Sequence, residues 1–307
     1  MSPASLPIPP GDLAARVGTP QGYDPVEFYL AEGARLRGVI ESLLPADWTW
    51  EGMNVLDFGC GSARVLRHFE PEARRGAFWG CDIDRPSIEW NGAHLSPPFR
   101  FFGNGPAPPL TSATASFDLI WATSVFTHIG DLWSAWLAEM HRVLAPAGIL
   151  IASFLGEGMW EALAGEPYRE DQIGMSVMHH WEGSDAWVFH SEWWLREHWG
   201  RAFEVIDVQR PPRTDDGSPQ ITHSYIALRR LEVPVSTVAL ERIDGDHPRE
   251  LAALQTSLRL AYGELAELAE RQPGLPGSRR HLRRAVRLAR RLGVVARRQV
   301  GRVVPRE

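Results

Sequence analysis

Val55-Leu56-Asp57-Phe58-Gly59-Cys60-Gly61-Ser62-Ala63-Arg64 is the stretch that decides how this chain folds. A short apolar run ends in an acid, two glycines follow one residue apart, and Val65, Leu66 and Phe69 then continue at helical spacing. The order this predicts is strand, tight turn and a helix over 62–70. Glycine accepts positive φ and lets a ligand approach the main chain closely, while a helix start presents unpaired N–H groups. The stretch is a candidate cradle for a small molecule.

Three details restrict what that molecule is. Arg64 stands where the third glycine of a dinucleotide-binding G-x-G-x-x-G would fall, which disfavours a pyrophosphate packed under the helix. Asp57, just before the turn, repels phosphate and suits an ammonium group. A second apolar run, Ala77-Phe78-Trp79-Gly80-Cys81, ends at Asp82. That is about twenty residues on, the usual separation for a carboxylate that accepts hydrogen bonds from ribose hydroxyls. A nucleoside with a cationic tail satisfies all three.

With Gly80-Cys81-Asp82-Ile83-Asp84, these residues resemble the class I S-adenosylmethionine-dependent methyltransferases. The resemblance continues through Ser116-Phe117-Asp118-Leu119-Ile120, Ser124-Val125-Phe126-Thr127-His128-Ile129 and Arg142-Val143-Leu144-Ala145-Pro146-Ala147-Gly148. It covers roughly residues 50–155, weakens towards 230 and is absent beyond. It implies a three-layer, doubly wound Rossmann-like α/β sheet, mostly parallel with an antiparallel last strand. It also implies S-adenosyl-L-methionine as cofactor and S-adenosyl-L-homocysteine as product. The residues it places around the cofactor are Asp57, Gly59, Cys60, Gly61, Asp82, Ile83, Asn104 and Ser124.

The pattern along the chain agrees. Strands are expected at 53–58, 77–82, 99–102, 117–122 and 148–154, with helices at 62–70, 86–94 and 132–144 between them. Alternation of this kind with nearly continuous apolar strands predicts a parallel sheet covered on both faces. Ligands of such sheets lie beyond the carboxyl ends of the strands, where Asp57, Asp82, Asn104 and Ser124 all fall. Asp131 is the candidate N-cap of the helix at 132–144, whose stripe of Trp133, Trp136, Met140, Val143 and Leu144 reads as core. A helix from Pro25 to Leu44 precedes the sheet. In the family a helix there covers the cofactor cleft, which would bring Tyr29 and Gly33 to the amino-acid end of the ligand; ordinary packing is the plainer alternative.

With 307 residues the chain can bury a sizeable core and carry a smaller second element. It contains no lysine, which excludes a Walker-type phosphate loop. The net charge of −6 does not suggest a nucleic-acid partner. Cys60 and Cys81 are expected as small packing residues rather than a disulfide or metal pair, and no metal site is expected. No apolar run reaches membrane-spanning length and nothing resembles a signal peptide, so a cytoplasmic protein is expected, peripheral at the inner membrane surface if its tail binds lipid.

Four segments are expected. Residues 1–22, with five prolines, read as a flexible lead. Residues 23–231 form the methyltransferase domain, with an acceptor-region insertion at about 156–200 rich in tryptophan: Trp160, Trp181, Trp187, Trp193, Trp194 and Trp199. These read as packing or as stacking surfaces for a planar or sugar acceptor. Residues 232–272 are a linker and a helix whose heptad-like seam, Leu251, Leu254, Leu258, Ala261, Leu265 and Leu268, could pair two copies through 251–268. Residues 273–307 hold eleven arginines and one glutamate. Their stretch 279–298 reads as a basic amphipathic helix for a membrane surface or acidic partner, or as a solvated arginine face.

Methyl transfer from a sulfonium demands alignment above all, so a conspicuous base is not required. His128, beyond the fourth strand, is the candidate general base; His179, His180, His190, Glu192 and His223 lie in the acceptor region. Adjacent residues such as His179 and His180 do not face one site, so they are not a metal pair on spacing alone. The leading expectation is O-methylation of a small-molecule or glycan acceptor, including a lipid-linked sugar. A catalytically silent S-adenosylmethionine-binding adaptor and a nicotinamide-dependent reductase are the alternatives.

Overall fold

The computed structural model describes residues 6–16, 22–164, 168–169, 174–179, 186–215, 217, 220 and 222–271. Its centre is a seven-stranded sheet in the order β3-β2-β1-β4-β5-β9-β8. These strands are β1 (Asn54–Phe58), β2 (Ala77–Asp82), β3 (Arg100–Gly103), β4 (Phe117–Ala122), β5 (Leu144–Phe154), β8 (Phe203–Gln209) and β9 (Ser224–Arg230), with β6 (Met175–His179) and β7 (Ala186–His190) paired separately. β1 to β5 run parallel, and β9 pairs antiparallel with both β5 and β8. The chain steps outward from β1 to β3 and then returns to β4 on the other side of β1, so the order reverses between β1 and β4. A reversal of that kind opens a crevice at the carboxyl edge.

Period-two alternation divides the core into two layers. Leu119, Trp121, Ile149 and Ile151 pack with Leu36 and Ile40 of α2 (Pro25–Ser42) and with Leu66 and Phe69. Their neighbours Ile120, Ala122, Leu150 and Ala152 pack with Trp136, Leu137 and Met140 of α5 (Trp133–Val143). Trp194 and Trp199 join that second layer, so these tryptophans of the insertion are core. α4 (Arg85–His94) connects β2 to β3, and the remaining α-helices among the described residues are α1 (Gly11–Ala15), α3 (Glu70–Ala73), α6 (Glu157–Ala164), α7 (Glu192–His198), α8 (Thr237–Glu241) and α9 (Pro248–Arg271).

Four expectations are corrected. No helix spans 62–70: turns lead into a 3₁₀ segment, Leu66–Phe69, and α3 begins at Glu70. Ala63 has φ 63°, outside the helical region, and Pro71, which has no N–H to donate, suits only the first turn of a new helix. Asp131 does not cap α5; Leu132 occupies that position without a side-chain hydrogen bond. β5 begins at Leu144 rather than 148. Part of the lead is ordered against the domain: Leu13 and Ala14 of α1 are buried, and Ser62 Oγ donates to Leu13 O at 3.2 Å.

The C-terminal extension docks on the sheet domain. His198 Nε2 lies 3.0 Å from Glu250 Oε1, both buried, and Ser257 Oγ donates to Met175 O at 2.8 Å. Glu250 and Ala253 are buried in the described part of α9, while Leu254 of the expected seam is exposed. The basic stretch 279–298 lies outside the described residues, as do His180 and Trp181. Among the described residues no helix is long and apolar enough to cross a membrane.

Candidate functional site

Asp57 sits on β1 at the point of reversal, 2% exposed, beneath the turn it precedes. Gly59 (φ 79°) and Gly61 (φ 50°) carry the left-handed bends that fold the turn back over the strand ends. A Cβ on Gly59 would stand 2.3 Å from Val125 Cγ2, so the turn is pressed against the loop after β4. Burial pushes the Asp57 carboxyl up to about 7, and the nearby Asp82 charge adds to it while Arg64 opposes it. Asp57 Oδ2 is buried without a hydrogen-bond partner.

The turn's amides are not free. Gly59 and Cys60 N–H both donate to Cys81 O, at 2.8 and 3.0 Å, and Gly61 N–H donates to Asp82 Oδ2 at 2.7 Å. The expectation of unpaired N–H groups at the start of a following helix is corrected too: no regular helix begins there, and the turn satisfies itself on β2. Cys60 and Cys81 are buried free thiols, as packing residues would be.

Asp82, at the end of β2, accepts from Gly61 N–H through one oxygen and from Asp84 N–H (2.7 Å) through the other. The carboxylate is thereby fixed in direction, with lone pairs remaining for hydroxyl donors. Ile83, next along the chain, is 65% exposed, an apolar side chain at the mouth of the crevice. Asn104 follows β3, its N–H donating to Asp82 O at 3.1 Å; its Oδ1 is buried and unpartnered. Ser124 follows β4 with φ 59°, its N–H donating to Ser153 Oγ at 2.6 Å.

The carboxyl ends of β1, β2, β3 and β4 thus bring together Asp57, Gly59, Cys60, Gly61, Asp82, Ile83, Asn104 and Ser124. Two buried acceptors, Asp57 Oδ2 and Asn104 Oδ1, are unpartnered there, and both suit amino groups. Tyr29 and Gly33 are packing residues instead. Tyr29 is buried with its hydroxyl donating to Ser62 O at 2.6 Å, and a Cβ on Gly33 would meet Arg64 O at 2.2 Å.

Arg64 was read from the sequence only as a missing glycine. It lies among Asp57, Tyr29, Glu32 and Tyr225, and burial lowers its pKa. No local pattern marks this group, because Glu32 comes from α2 and Tyr225 from β9. His128 is exposed beyond β4, its N–H donating to Val125 O. His223 lies within electrostatic reach of it and is held down to about 4, mainly by burial, then by the charge of His128.

A separate cavity of about 480 Å³ opens at the carboxyl edge of β5 and the start of β9, walled by α6, α7 and the segment after β8. Glu157, Glu192, Arg210 and Arg213 line it. His190 and Glu192 are therefore close to a cavity, whereas nothing is described of the His179 side chain. Among the described residues no group of three His, Cys, Asp or Glu side chains could hold a metal ion.

Comparison with known proteins fits this geometry. A sequence family described as a methyltransferase domain matches residues 56–150. Over 105 residues the chain is 33% identical to the malonyl-[acyl-carrier protein] O-methyltransferase of Hahella chejuensis, a match covering 33% of this chain and 36% of that protein. The chain thus spans about a third of the length of this curated relative. A crystal structure described as an S-adenosylmethionine-dependent methyltransferase from Listeria monocytogenes superposes with a TM-score of 0.50 at 14% identity, over 66% of this chain and all of that one. One from Methanosarcina mazei gives 0.46 at 19% identity, over 63% and 97%. Residues 56–150 thus match a methyltransferase domain, and the strand order with the glycine turn at its point of reversal is that of the class I S-adenosylmethionine-dependent methyltransferase fold.

Proposed function

We propose that the protein transfers a methyl group from S-adenosylmethionine to an oxygen of a small hydroxylated acceptor, a sugar or other glycan-like molecule included. The observation that carries this is the pair of acids, Asp57 and Asp82, on adjacent strand ends either side of the positive-φ glycines. The residues present fit the cofactor. Asp82 would take the ribose hydroxyls, Ile83 would cover one face of the adenine, and Asn104 Oδ1 would accept from its amino group. Asp57 would receive the ammonium end, with Arg64 at hand for the carboxylate, while Gly59, Cys60, Gly61 and Ser124 form the walls.

When bound, S-adenosylmethionine supplies the methyl electrophile itself. The chain's contribution is first alignment, which can supply about 7–11 kcal/mol of a barrier. His128 is then the group assigned to take the acceptor's hydroxyl proton on an imidazole nitrogen, an effect of about 10²–10⁴ in rate. Burial keeps His223, within electrostatic reach, neutral.

Titration calorimetry with S-adenosylmethionine, S-adenosylhomocysteine and NADH tests the cofactor assignment, since tight NADH binding without response to the sulfonium ligands would overturn it. Transfer of labelled methyl from cofactor into fractionated cell extract tests the activity, and a complete absence of labelled product would leave a binding adaptor. Replacing His128 by Ala should lower turnover and leave S-adenosylhomocysteine affinity unchanged; unchanged turnover removes His128 as the base. The division of the chain into segments, self-association through 251–268 and a membrane or acidic-partner contact through 279–298 belong to this proposal on sequence pattern alone. Sedimentation and liposome flotation of the full chain test the last two.

A further inference from the structure

The second cavity is built differently from the crevice, by layers of charge. Glu192 receives two guanidinium groups, Arg196 at 2.8 Å and Arg210, and Glu161 receives Arg213 at 3.4 Å. The acids lie deep and the bases at the rim: Glu192 is 14% exposed, whereas Arg210 and Arg213 are 67% and 60% exposed. Among the described residues the wall holds four arginines, counting Arg249, against three glutamates, counting Glu157. The exposed Arg210 and Arg213 present planar forks that match carboxylate and phosphate oxygens. The size suits one small molecule rather than a peptide.

The inner end of the cavity is closed. His190 is 1% exposed, pressed against the rings of Trp194 and Trp199 at 5.4 and 5.8 Å, and neither ring nitrogen has a hydrogen-bond partner. It lines a narrow gap, too small for a water molecule, that adjoins the larger cavity through Glu157. Glu157 shares the junction, its carboxylate accepting from Glu192 N–H at 2.7 Å. The cavity is also tied to the methyl-donor side: Val188 N–H of β7 donates to Thr127 O, after β4, and His190 N–H to Leu155 O, at the end of β5.

Resting on the methyl-transfer function proposed above, we infer that this cavity takes the acceptor, and that the acceptor is a hydroxylated small molecule carrying a carboxylate or phosphate. Its anionic group meets the rim at Arg210 and Arg213 and one hydroxyl donates to Glu157, which leaves the hydroxyl to be methylated for His128.

The test uses the full chain saturated with S-adenosylhomocysteine and four probes of one scaffold: glucuronate, glucose 6-phosphate, glucose and glucosamine, read by saturation-transfer NMR and titration. The two anionic probes separate carboxylate from phosphate as the source. At least one of them should bind roughly tenfold or more tighter than glucose, and the double variant R210A/R213A should remove that advantage. Both arginines are on the rim, and circular dichroism checks that the variant folds; R210K/R213K, which keeps charge and loses the fork, should recover part of the binding. Equal binding of glucose and its anionic relatives, preference for glucosamine, no binding of any probe, or no effect of R210A/R213A each overturns the inference. Failure of S-adenosylhomocysteine itself to bind would instead overturn the cofactor assignment, so the two failures are distinguishable.

Discussion

The carboxyl edge of the sheet carries the cofactor site proposed above and, at β5 and β9, a cavity, and the two are made in different ways. Around β1, β2 and β4 the walls are largely main chain: positive-φ glycines, carbonyls already paired, and Asp82 fixed in place by backbone contacts, with Asp57 buried beside it. Around β5 and β9 the walls are side chains from α6, α7 and the stretch after β8. A wall of backbone can be altered only by changing the path of the chain, so it suits a ligand that never varies. A wall of side chains can be rewritten residue by residue, which suits an acceptor that differs between relatives.

The sharpest way to break that contrast is to add one methyl group to the main-chain wall. Gly59→Ala would force a side chain into φ 79° and within 2.3 Å of Val125 Cγ2. The left-handed backbone costs about 1–2 kcal/mol and overpacking about 1–3 kcal/mol more. We expect a fall of several degrees in thermal midpoint and loss of measurable S-adenosylhomocysteine binding by calorimetry. Gly92→Ala on α4, where a Cβ meets nothing within 4 Å, is the control and should be neutral or slightly stabilising. Equal effects at the two positions would show that the turn's shape does not matter to binding.

Asp82→Ala comes next. It leaves the Gly61 and Asp84 N–H groups without their acceptor as well as any ribose hydroxyls, a loss of about 1–3 kcal/mol in cofactor affinity. Calorimetry reads this directly, and an unchanged Kd would remove Asp82 from the crevice. If R210A/R213A weakened S-adenosylhomocysteine as much as D82A, the two hollows would not be separate.

The main-chain hollow could be read from sequence because its instructions are local. Asp57, Gly59, Gly61 and Asp82 are close along the chain, and the strand ends follow from apolar runs. The doubly wound sheet and its antiparallel last strand follow from the same runs and the resemblance. Where the sequence misled, the cause was an interaction between distant segments or a single torsion. The helix at 62–70 was lost to the positive φ of Ala63 and to Pro71, and the loose lead was pinned by Ser62 and Arg67. The cavity at β5 and β9 joins Glu157, Glu192, Arg213 and Arg249, which no spacing rule connects. Tryptophan density marked the region, yet Trp194 and Trp199 proved to be core, and the charged groups beside them form the wall.

A smaller effect is a dependence on pH. With its folded value raised to about 7, Asp57 keeps its proton in the native state over a range where the unfolded chain has released it. The sign follows: its contribution is fully present below the unfolded value near 4 and is lost as pH rises through about 7. The thermal midpoint of the unliganded protein should therefore decline relative to Asp57→Asn between about pH 5 and pH 8. An ammonium ligand favours the ionised carboxylate, so S-adenosylhomocysteine affinity should rise over the same interval in the parent and stay flat in D57N. His190 and His223, held near 3 and 4 by burial, act in the opposite direction below about pH 6.5, which is why the comparison is made against the single variant.

The smallest effect concerns the lead, which places a surface contact on the main-chain hollow. Arg16, following α1, reaches Asp84 with Nη1 2.8 Å from Oδ1, and Asp84 begins the helix beside Asp82 and Ile83. Both side chains are partly exposed, so the pair is worth only about 0.2–1 kcal/mol and weakens with salt. Arg16→Ala should leave the thermal midpoint almost unchanged. Its effect belongs to kinetics: α1 rests on Ser62 through Leu13, so loosening its far end should speed S-adenosylhomocysteine dissociation about twofold to fivefold, the factor such a pair can supply. Stopped-flow displacement at low and high salt measures it. The parent should approach the variant's rate as salt rises, whereas identical rates at low salt would mean that the lead packs on the turn without holding the ligand in.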